Sequence, residues 1–562
     1  MIKNKLLLIV VVIAAFLRLW SLSEVPPHLT NDEAALGYNA YSILKTGRDE
    51  HGTLLPVVFK SFGDWKPGLY VYASTPFVAL FGLNELSVRL PSALAGVLAV
   101  LLLYLLVLRM LRSRGLAIFS AFMLSINPWH LQFSRGAWEA NLALTIVLIA
   151  IYLFVTSMSN KSPKRLLFSA LFFALSLWSY QSAKLASLLV VFLLSITYRE
   201  ELLSFKKSKL LMAMLIGILF SLPIVMSLFN GKSGRIEVMS VFSYHRSDEY
   251  IDNTILSQDG SDVHSLSFLL FHSEPYNLAK GVLGRYFNHF SGKFLFIDGD
   301  WTNPRHSAPY VGYFYLVLAP LLVAGAVACI RAIDSKPVKF FVLWMLASPI
   351  PSALTKDSVH GVRSLNMVIP IIVIISIGGV FLWEKIKLLF IRRYRALIAL
   401  LATVFFVALF VNTVYYFDSY YIHLPFMYSK HYQYGYKQAV KNIIGSEDKY
   451  SSIEFAQSYD QPYIFFLFYG AGLGVGVYEP ENFQKDNSFK DISMGDVGQI
   501  ERIGRVKFRG LNWPTDRDIH GALIVGTQHD FPLPEIIDSE LYDIKTIKYL
   551  NGDTAFAQIF IK

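Results

Sequence analysis

Apolar residues gather along this chain in long runs separated by short polar stretches. The runs lie near residues 5–22, 88–108, 116–134, 138–157, 166–181, 184–198, 210–229, 310–330, 339–354, 364–383 and 396–415. Each approaches the roughly 20 residues that carry a helix across a bilayer core, so eleven spans are predicted. The first run follows Lys3 and Lys5, and its exit, Leu22-Ser23-Glu24-Val25-Pro26-Pro27, offers no small-x-small cleavage site. It reads as an uncleaved anchor. Beyond residue 415 the pattern changes to one polar enough to fold alone. Ser452–Phe455 and Ala522–Val525 read as short strands, and two alternating runs, Asp543–Tyr549 and Thr554–Ile561, flank Asn551-Gly552, a strong hairpin signal. The expected architecture is a polytopic α-helical membrane domain over residues 1–415 and an α/β domain over 416–562.

Composition sharpens this picture. The chain is 54% apolar and only 16% charged, against roughly 25% charged residues in soluble domains, which excludes a disordered or nucleic-acid-binding protein. The net charge of +10 is explained by where the charges sit. One set of loops holds Lys3, Lys5, Arg109, Arg112, Arg114, Lys161, Lys164, Arg165, Arg199, Lys206, Lys207, Lys209, Arg331, Lys336, Lys339, Lys385, Lys387, Arg392, Arg393 and Arg395. Against these 20 basic residues stand four acidic ones, Glu200, Glu201, Asp334 and Glu384, so the set carries +16 and leaves −6 for the rest. Such asymmetry puts these loops and the N-terminus in the cytoplasm. The loops 23–87 and 230–309 and the tail then share the outer face of a cell (inner) membrane. The single cysteine, Cys329, lies in an apolar run and allows neither an intrachain disulfide nor a thiolate metal cluster.

Ionisable residues are rare within the runs and cluster at their outer ends. A secondary transporter would carry charges near the midplane, among broken helices and internal repeats. Neither is visible here, and the pattern favours a site at the outer interface, where a lipid headgroup meets a water-borne partner. In the first outer loop, Pro26-Pro27-His28-Leu29-Thr30-Asn31-Asp32-Glu33 leads into a helical pattern from Ala34 to Lys45 that stops at Gly47. Thr30 and Glu33 have capping-box spacing and Asp32 complements the helix dipole, a purely structural reading. The same acidic pair beside the membrane would also hold a carboxylate over a lipid phosphate. Further on, Gly63-Asp64-Trp65-Lys66-Pro67-Gly68-Leu69-Tyr70 opens a second interfacial helix that ends at Phe81-Gly82. Lys66 either snorkels to headgroups or neutralises a phosphate leaving group.

These residues resemble the GT-C membrane glycosyltransferases, in the branch of the protein O-mannosyltransferases and the lipid A aminoarabinose transferase. The resemblance is carried by Asp32-Glu33 after the first span, Lys66-Pro67 before an apolar helix, and Glu85 with Arg89-Leu90-Pro91 opening the second span. Phe133-Ser134-Arg135, Glu139 and Ser179-Tyr180-Gln181 with Lys184 follow in the same order, and the likeness covers roughly residues 1–420. It implies a GT-C fold and transfer of a sugar from a polyprenyl-phosphate carrier to an acceptor on the outer face, usually with inversion. It implies further that Asp32 is the general base with Glu33 beside it, that Lys66 binds the lipid phosphate, that Arg135 and Glu139 line the same cavity, and that Lys184 belongs to the donor site. A phosphate bonded to an anomeric carbon leaves readily once cations spread its charge, provided water is kept from the oxocarbenium-like transition state. The chain departs from the aminoarabinose transferase at Gly68, where a second proline is expected, and the loop 230–309 shows no β-trefoil insert of the kind eukaryotic protein mannosyltransferases carry. Both departures bear on the acceptor more than on the reaction.

The loop 230–309 ends in Phe296-Ile297-Asp298-Gly299-Asp300-Trp301-Thr302-Asn303-Pro304-Arg305-His306. Asp298, Asp300 and His306 offer the oxygen and imidazole donors that suit Mn²⁺ or Zn²⁺, but turn chemistry around Asp-Gly and Asn-Pro accounts for them better. No metal and no cofactor is assigned. By the resemblance, Arg305 and His306 contact donor phosphate or sugar. Arg363, which closes Lys356-Asp357-Ser358-Val359-His360-Gly361-Val362-Arg363, is a headgroup anchor or one more phosphate contact. His130 reads as an interfacial hydrogen-bonder, and Tyr415, Tyr416, Phe417, Tyr420 and Tyr421 read as an aromatic membrane belt. The expected partners are the lipid donor, the bilayer and an acceptor that is protein, lipid or polysaccharide. The alternative from another class is a flippase or transporter of lipid-linked glycan precursors, which needs a continuous polar path through the bundle. An inactive scaffold is a third reading and would tolerate loss of Asp32.

Overall fold

The computed structural model describes residues 2–231, 239–243, 245–259, 262–390, 395–485, 500–537 and 539–562. Arg392 and Arg393 of the basic loops lie outside them. Helix α1 (Ile2–Leu19) is followed by α2 (Asn31–Thr46), a two-stranded hairpin of β1 (Val58–Ser61) and β2 (Asp64–Pro67), and α3 (Leu69–Phe81). Then come α4 (Glu85–Leu111), α5 (Arg114–Ser125), α6 (Pro128–Ser134), α7 (Glu139–Asn160), α8 (Pro163–Ser176) and α9 (Ala183–Thr197). Five of the described helices are long and apolar enough to cross a membrane: Glu85–Leu111, Glu139–Asn160, Lys207–Phe229, Leu365–Lys387 and Ala396–Tyr428. The chain is therefore a helical membrane protein.

Three expected spans are built differently, the run 339–354 being the helix Lys336–Ala347 followed by a short one, Ile350–Ala353. The run 116–134 is two helices, because the Asn127 side chain accepts the His130 N–H at 3.0 Å and Pro128 takes the first helical position, where its missing N–H costs nothing. The run 310–330 becomes α-helical only at Ala319–Arg331. The bundle shares one core that runs from Val10 and Ala14 of α1 through α4, α5 and α7 to Tyr432.

A second core lies above it. The tail forms a six-stranded mixed sheet of β3 (Ile453–Ala456), β4 (Arg502–Ile503), β5 (Val506–Arg509), β6 (Leu523–Gly526), β7 (Tyr542–Lys548) and β8 (Thr554–Ile561) in the order β4-β5-β3-β6-β8-β7, with β3 parallel to both β5 and β6. At its edge, β7 and β8 make the hairpin expected around Asn551-Gly552, with Gly552 at φ 94°. The tail does not close its core by itself. The helix Pro462–Gly472 is apolar on every side, as a buried helix must be, and its residues Pro462 to Ala471 are all buried. It packs against α2, and one cluster joins Leu29, Ala34, Tyr38 and Tyr70 to Phe455, Phe465, Phe468 and Phe556. Gly37 marks a close approach: a Cβ there would come within 2.5 Å of Val88 and 2.6 Å of Phe468.

Candidate active site

The start of α2 is held by a polar knot. Thr30 caps it: its side chain accepts the Glu33 N–H at 3.3 Å, while Glu33 Oε2 accepts the Thr30 N–H at 3.1 Å. Glu33 also accepts from Arg89 Nε at 3.1 Å, Arg89 Nη2 at 3.3 Å and the Ala137 N–H at 2.8 Å. Arg89, fully buried in α4, donates to the carbonyls of Leu22, Pro26 and His28 as well. The pair thus binds the exit of α1, the start of α2, α4 and the turn before α7 to one another. With its oxygens so engaged, Glu33 is an anchor, and the residue it fixes is its neighbour Asp32, whose side chain is half exposed.

The sequence runs residues 63–70 straight into a helix, but the structure places a hairpin first. Phe62 and Gly63 both take positive φ, at 52° and 80°, the geometry of a tight two-residue turn, and β2 then carries Asp64 and Lys66 on one face by strand alternation. Lys66 Nζ is paired with the Asp32 carboxylate. Burial opposes charge on Lys66, but Asp32, then Glu139 and Asp64, outweigh it and raise the ammonium above its ordinary range. Lys184, at the start of α9, also feels the charge of Asp64 and donates to Gln181 Oε1, while Gln181 Nε2 donates to the Trp65 carbonyl at 2.5 Å. Asp32, Lys66, Glu139 and Lys184 are therefore brought together around the hairpin. Asp64 joins them unannounced; its one signal in the sequence is its place two residues before Lys66.

Below the hairpin an apolar groove of about 860 Å³ runs between α7, α8, α9 and the Lys207–Phe229 helix, lined by residues such as Ala170, Leu177, Leu188, Ile218 and Val225. One end of it meets the hairpin, because Leu177 packs with Val58 and Ile224, flanked by Trp65 and Trp178. The Leu69 N–H donates to the Trp178 carbonyl at 2.9 Å, fixing that junction.

Arg135 does not join this cluster. It is buried and donates to the carbonyls of Leu17, Trp20 and Val25 at 2.7, 2.7 and 3.1 Å, beneath the rings of Tyr420 and Tyr421. It closes the open C-terminal end of α1. Tyr416 and Tyr420 are accordingly buried rather than part of a membrane belt, whereas Tyr415 faces outward. His130 is buried as well, its Nδ1 2.7 Å from Arg18 Nη2.

Arg305, His306 and Arg363 form a second group beside Trp138. The His306 ring lies 5.5 Å from that of Trp138 and 4.7 Å from that of His360, and its Nδ1 donates to Asp300 Oδ2 at 2.7 Å. Burial lowers both histidines below the ordinary histidine range. Arg363 donates to Thr355 Oγ1 at 2.7 Å and Asp357 Oδ2 at 2.6 Å, and it touches the Tyr180 hydroxyl, which feels Glu139 from the first group. Asp298 stands apart, 3.7 Å from Lys293. His360 is the residue the sequence left without a role. Its link to Asp300 and His306 crosses between two loops some 55 positions apart and leaves no local pattern.

Comparison with known proteins gives two findings. Residues 66–226 match the model of the Dolichyl-phosphate-mannose-protein mannosyltransferase family. Among solved structures the chain is similar to ArnT from Cupriavidus metallidurans bound to undecaprenyl phosphate, at 12% identity and a TM-score of 0.54 over 98% of this chain and 97% of that one. It is also similar to the apo state of the same protein, at 11% identity and a TM-score of 0.54 over 100% and 98%. No curated protein sequence matches the chain. The chain thus shares the fold of these structures, and its segment 66–226, which begins at Lys66, matches the Dolichyl-phosphate-mannose-protein mannosyltransferase family.

Proposed function

We propose that the protein transfers a sugar from a polyprenyl-phosphate donor to an acceptor on the outer face of the inner membrane, with the N-terminus in the cytoplasm and the tail outside. The observation that carries this reading is the Asp32–Lys66 pair, set where the apolar groove meets the hairpin. The isoprenoid tail would lie in the groove and the phosphate would arrive between Lys66 and Lys184. The matched family's name, with its lipid-phosphate donor, and the undecaprenyl phosphate bound by ArnT support the same donor class.

The arrangement then couples donor binding to base activation. An arriving phosphate takes Lys66 away from Asp32, whose carboxylate is left to accept the proton of the acceptor hydroxyl. The hydroxyl oxygen attacks the anomeric carbon as the bond to the phosphate oxygen breaks, and the electron pair leaves on a phosphate neutralised by Lys66. Attack from the face opposite the phosphate inverts the anomeric centre. Asp64 helps keep Lys66 charged throughout, and Glu33 holds Asp32 in place through the start of α2.

The test is turnover by purified protein in lipid, scanning polyprenyl-phosphate sugars and following release of the free lipid phosphate. Wild type should turn over one donor class and Asp32→Asn should not. Equal turnover by both would remove the base assignment, and movement of labelled lipid across vesicles without turnover would replace the transferase by a flippase.

A further inference from the structure

Two outer loops deliver three metal-type donors to one buried point. Asp300 and His306 come from the segment before the Leu316–Leu318 turn and His360 from the turn before Arg363; one ligand atom of each lies within 4.8 Å of the others. The hydrogen bonds fix their present state. A carboxylate only accepts, so the His306 proton sits on Nδ1, facing Asp300 Oδ2. His360 Nδ1 accepts the Arg363 N–H at 3.3 Å. Among the described residues, neither histidine's Nε2 has a hydrogen-bond partner.

We propose that Asp300, His306 and His360 bind one divalent transition-metal ion, Zn²⁺ or Mn²⁺. One carboxylate with two imidazoles is a donor set both ions accept, and it leaves room for water as a further ligand. The ion takes the place of the proton that His306 shares with Asp300, which moves to Nε2 of the same ring, and His360 supplies the third ligand through Nε2, its proton passing to Nδ1 in place of the 3.3 Å bond from the Arg363 N–H, so that both rings stay neutral. The surroundings already orient these groups, as outer partners of metal ligands do. Asp300 Oδ1 accepts from the Thr302 N–H at 3.0 Å, its hydroxyl at 2.6 Å and the Asn303 N–H at 3.1 Å. Behind His360, His289 Nε2 accepts the His360 N–H at 3.3 Å, and His289 Nδ1 is held by the Arg285 carbonyl at 2.7 Å. An ion here clamps the loop of Arg305 to the loop of Arg363, and so sets the spacing of these two cations, of which Arg363 touches the Tyr180 hydroxyl.

The experiment is metal binding by tag-free, chelator-stripped full-length protein in detergent, titrated with Zn²⁺ and separately with Mn²⁺ and followed by calorimetry, metal content and Tm. One equivalent of either ion should bind and raise Tm. His306→Gln and His360→Gln should each weaken binding at least about tenfold, while Asp32→Asn leaves it unchanged. The histidines are chosen because Asp300 also holds its own turn, and the Tm of each stripped variant, compared with stripped wild type, reports its folding. Absence of a bound equivalent in folded wild type overturns the proposal. So does binding that survives both histidine changes, or binding lost in Asp32→Asn, which moves the ion to the carboxylates around Lys66. None of these readouts depends on sugar transfer.

Discussion

Lys66 and Asp32 neutralise one another across the gap between a strand and the first turn of a helix. Each is therefore spoken for until a competitor of the right charge arrives. Removing one partner should expose the other. Asp32→Asn is expected to lower kcat by about 10²–10⁴-fold, the usual worth of a positioned base, while the donor binds as tightly or more tightly because Lys66 is released. Lys66→Ala should weaken donor binding as well as turnover. Donor Kd and single-turnover rates measured side by side separate the two.

Glu33 stands next to Asp32 and should behave in the opposite way. It sits in a buried ion pair with Arg89 and accepts two backbone N–H groups besides. Breaking such a pair from one side costs about 3–5 kcal/mol. Arg89→Ala is therefore expected to lower stability by that order, and Glu33→Gln, which keeps some of the bonds, by less. Unfolding in detergent, monitored alongside activity, checks whether Glu33→Gln loses turnover only in proportion to folded protein.

The groove makes a prediction about chain length. Ala170 lines it, and Ala170→Trp would fill space needed by an isoprenoid unit. At about 0.8 kcal/mol per buried methylene, excluding two or three carbons raises KM by roughly tenfold or more. The increase should appear with long polyprenyl donors and vanish with a short-chain analogue that never reaches Ala170.

Acid should loosen the tail. His28 is buried, its Nε2 accepting the Lys437 N–H at 3.1 Å and lying 3.2 Å from the Tyr469 hydroxyl, beside the 2.6 Å Lys437–Glu85 pair. Burial pushes its pKa down to about 4, against the opposing pull of the Leu29 carbonyl; an unfolded histidine titrates near 6.5. Between these values the unfolded chain binds a proton that the folded chain refuses. The stability from this site is complete above about pH 6.5 and falls as pH drops toward 4, by about 3 kcal/mol in all. Tm measured from pH 7 to pH 4.5 should show the loss, and His28→Gln should flatten it.

Long apolar periodicity made the helices legible, and local chemistry revealed the α2 cap, the Gly47 stop and the Asn551-Gly552 hairpin. Asp32 and Lys66 could be named because each stands at a break between apolar runs. The β1–β2 hairpin could not be read: its strands have four residues each, and Phe62 is an unusual occupant of a positive φ. Arg135 misled because its partners are main-chain carbonyls, which no residue type announces. Asp64 and His360 act only through neighbours that the fold brings from elsewhere.

The core shared by α2 and the Pro462–Gly472 helix bears on how such proteins can diversify. The residue proposed as base rides on a helix whose inner face is completed by the last quarter of the chain. A graft that exchanged the tail alone would leave Gly37 facing a foreign side chain in place of Phe468 and would shift Asp32 with it. New acceptor preferences at this surface must then be inherited as a package, tail and residues 23–87 together, and natural hybrids should break elsewhere in the sequence.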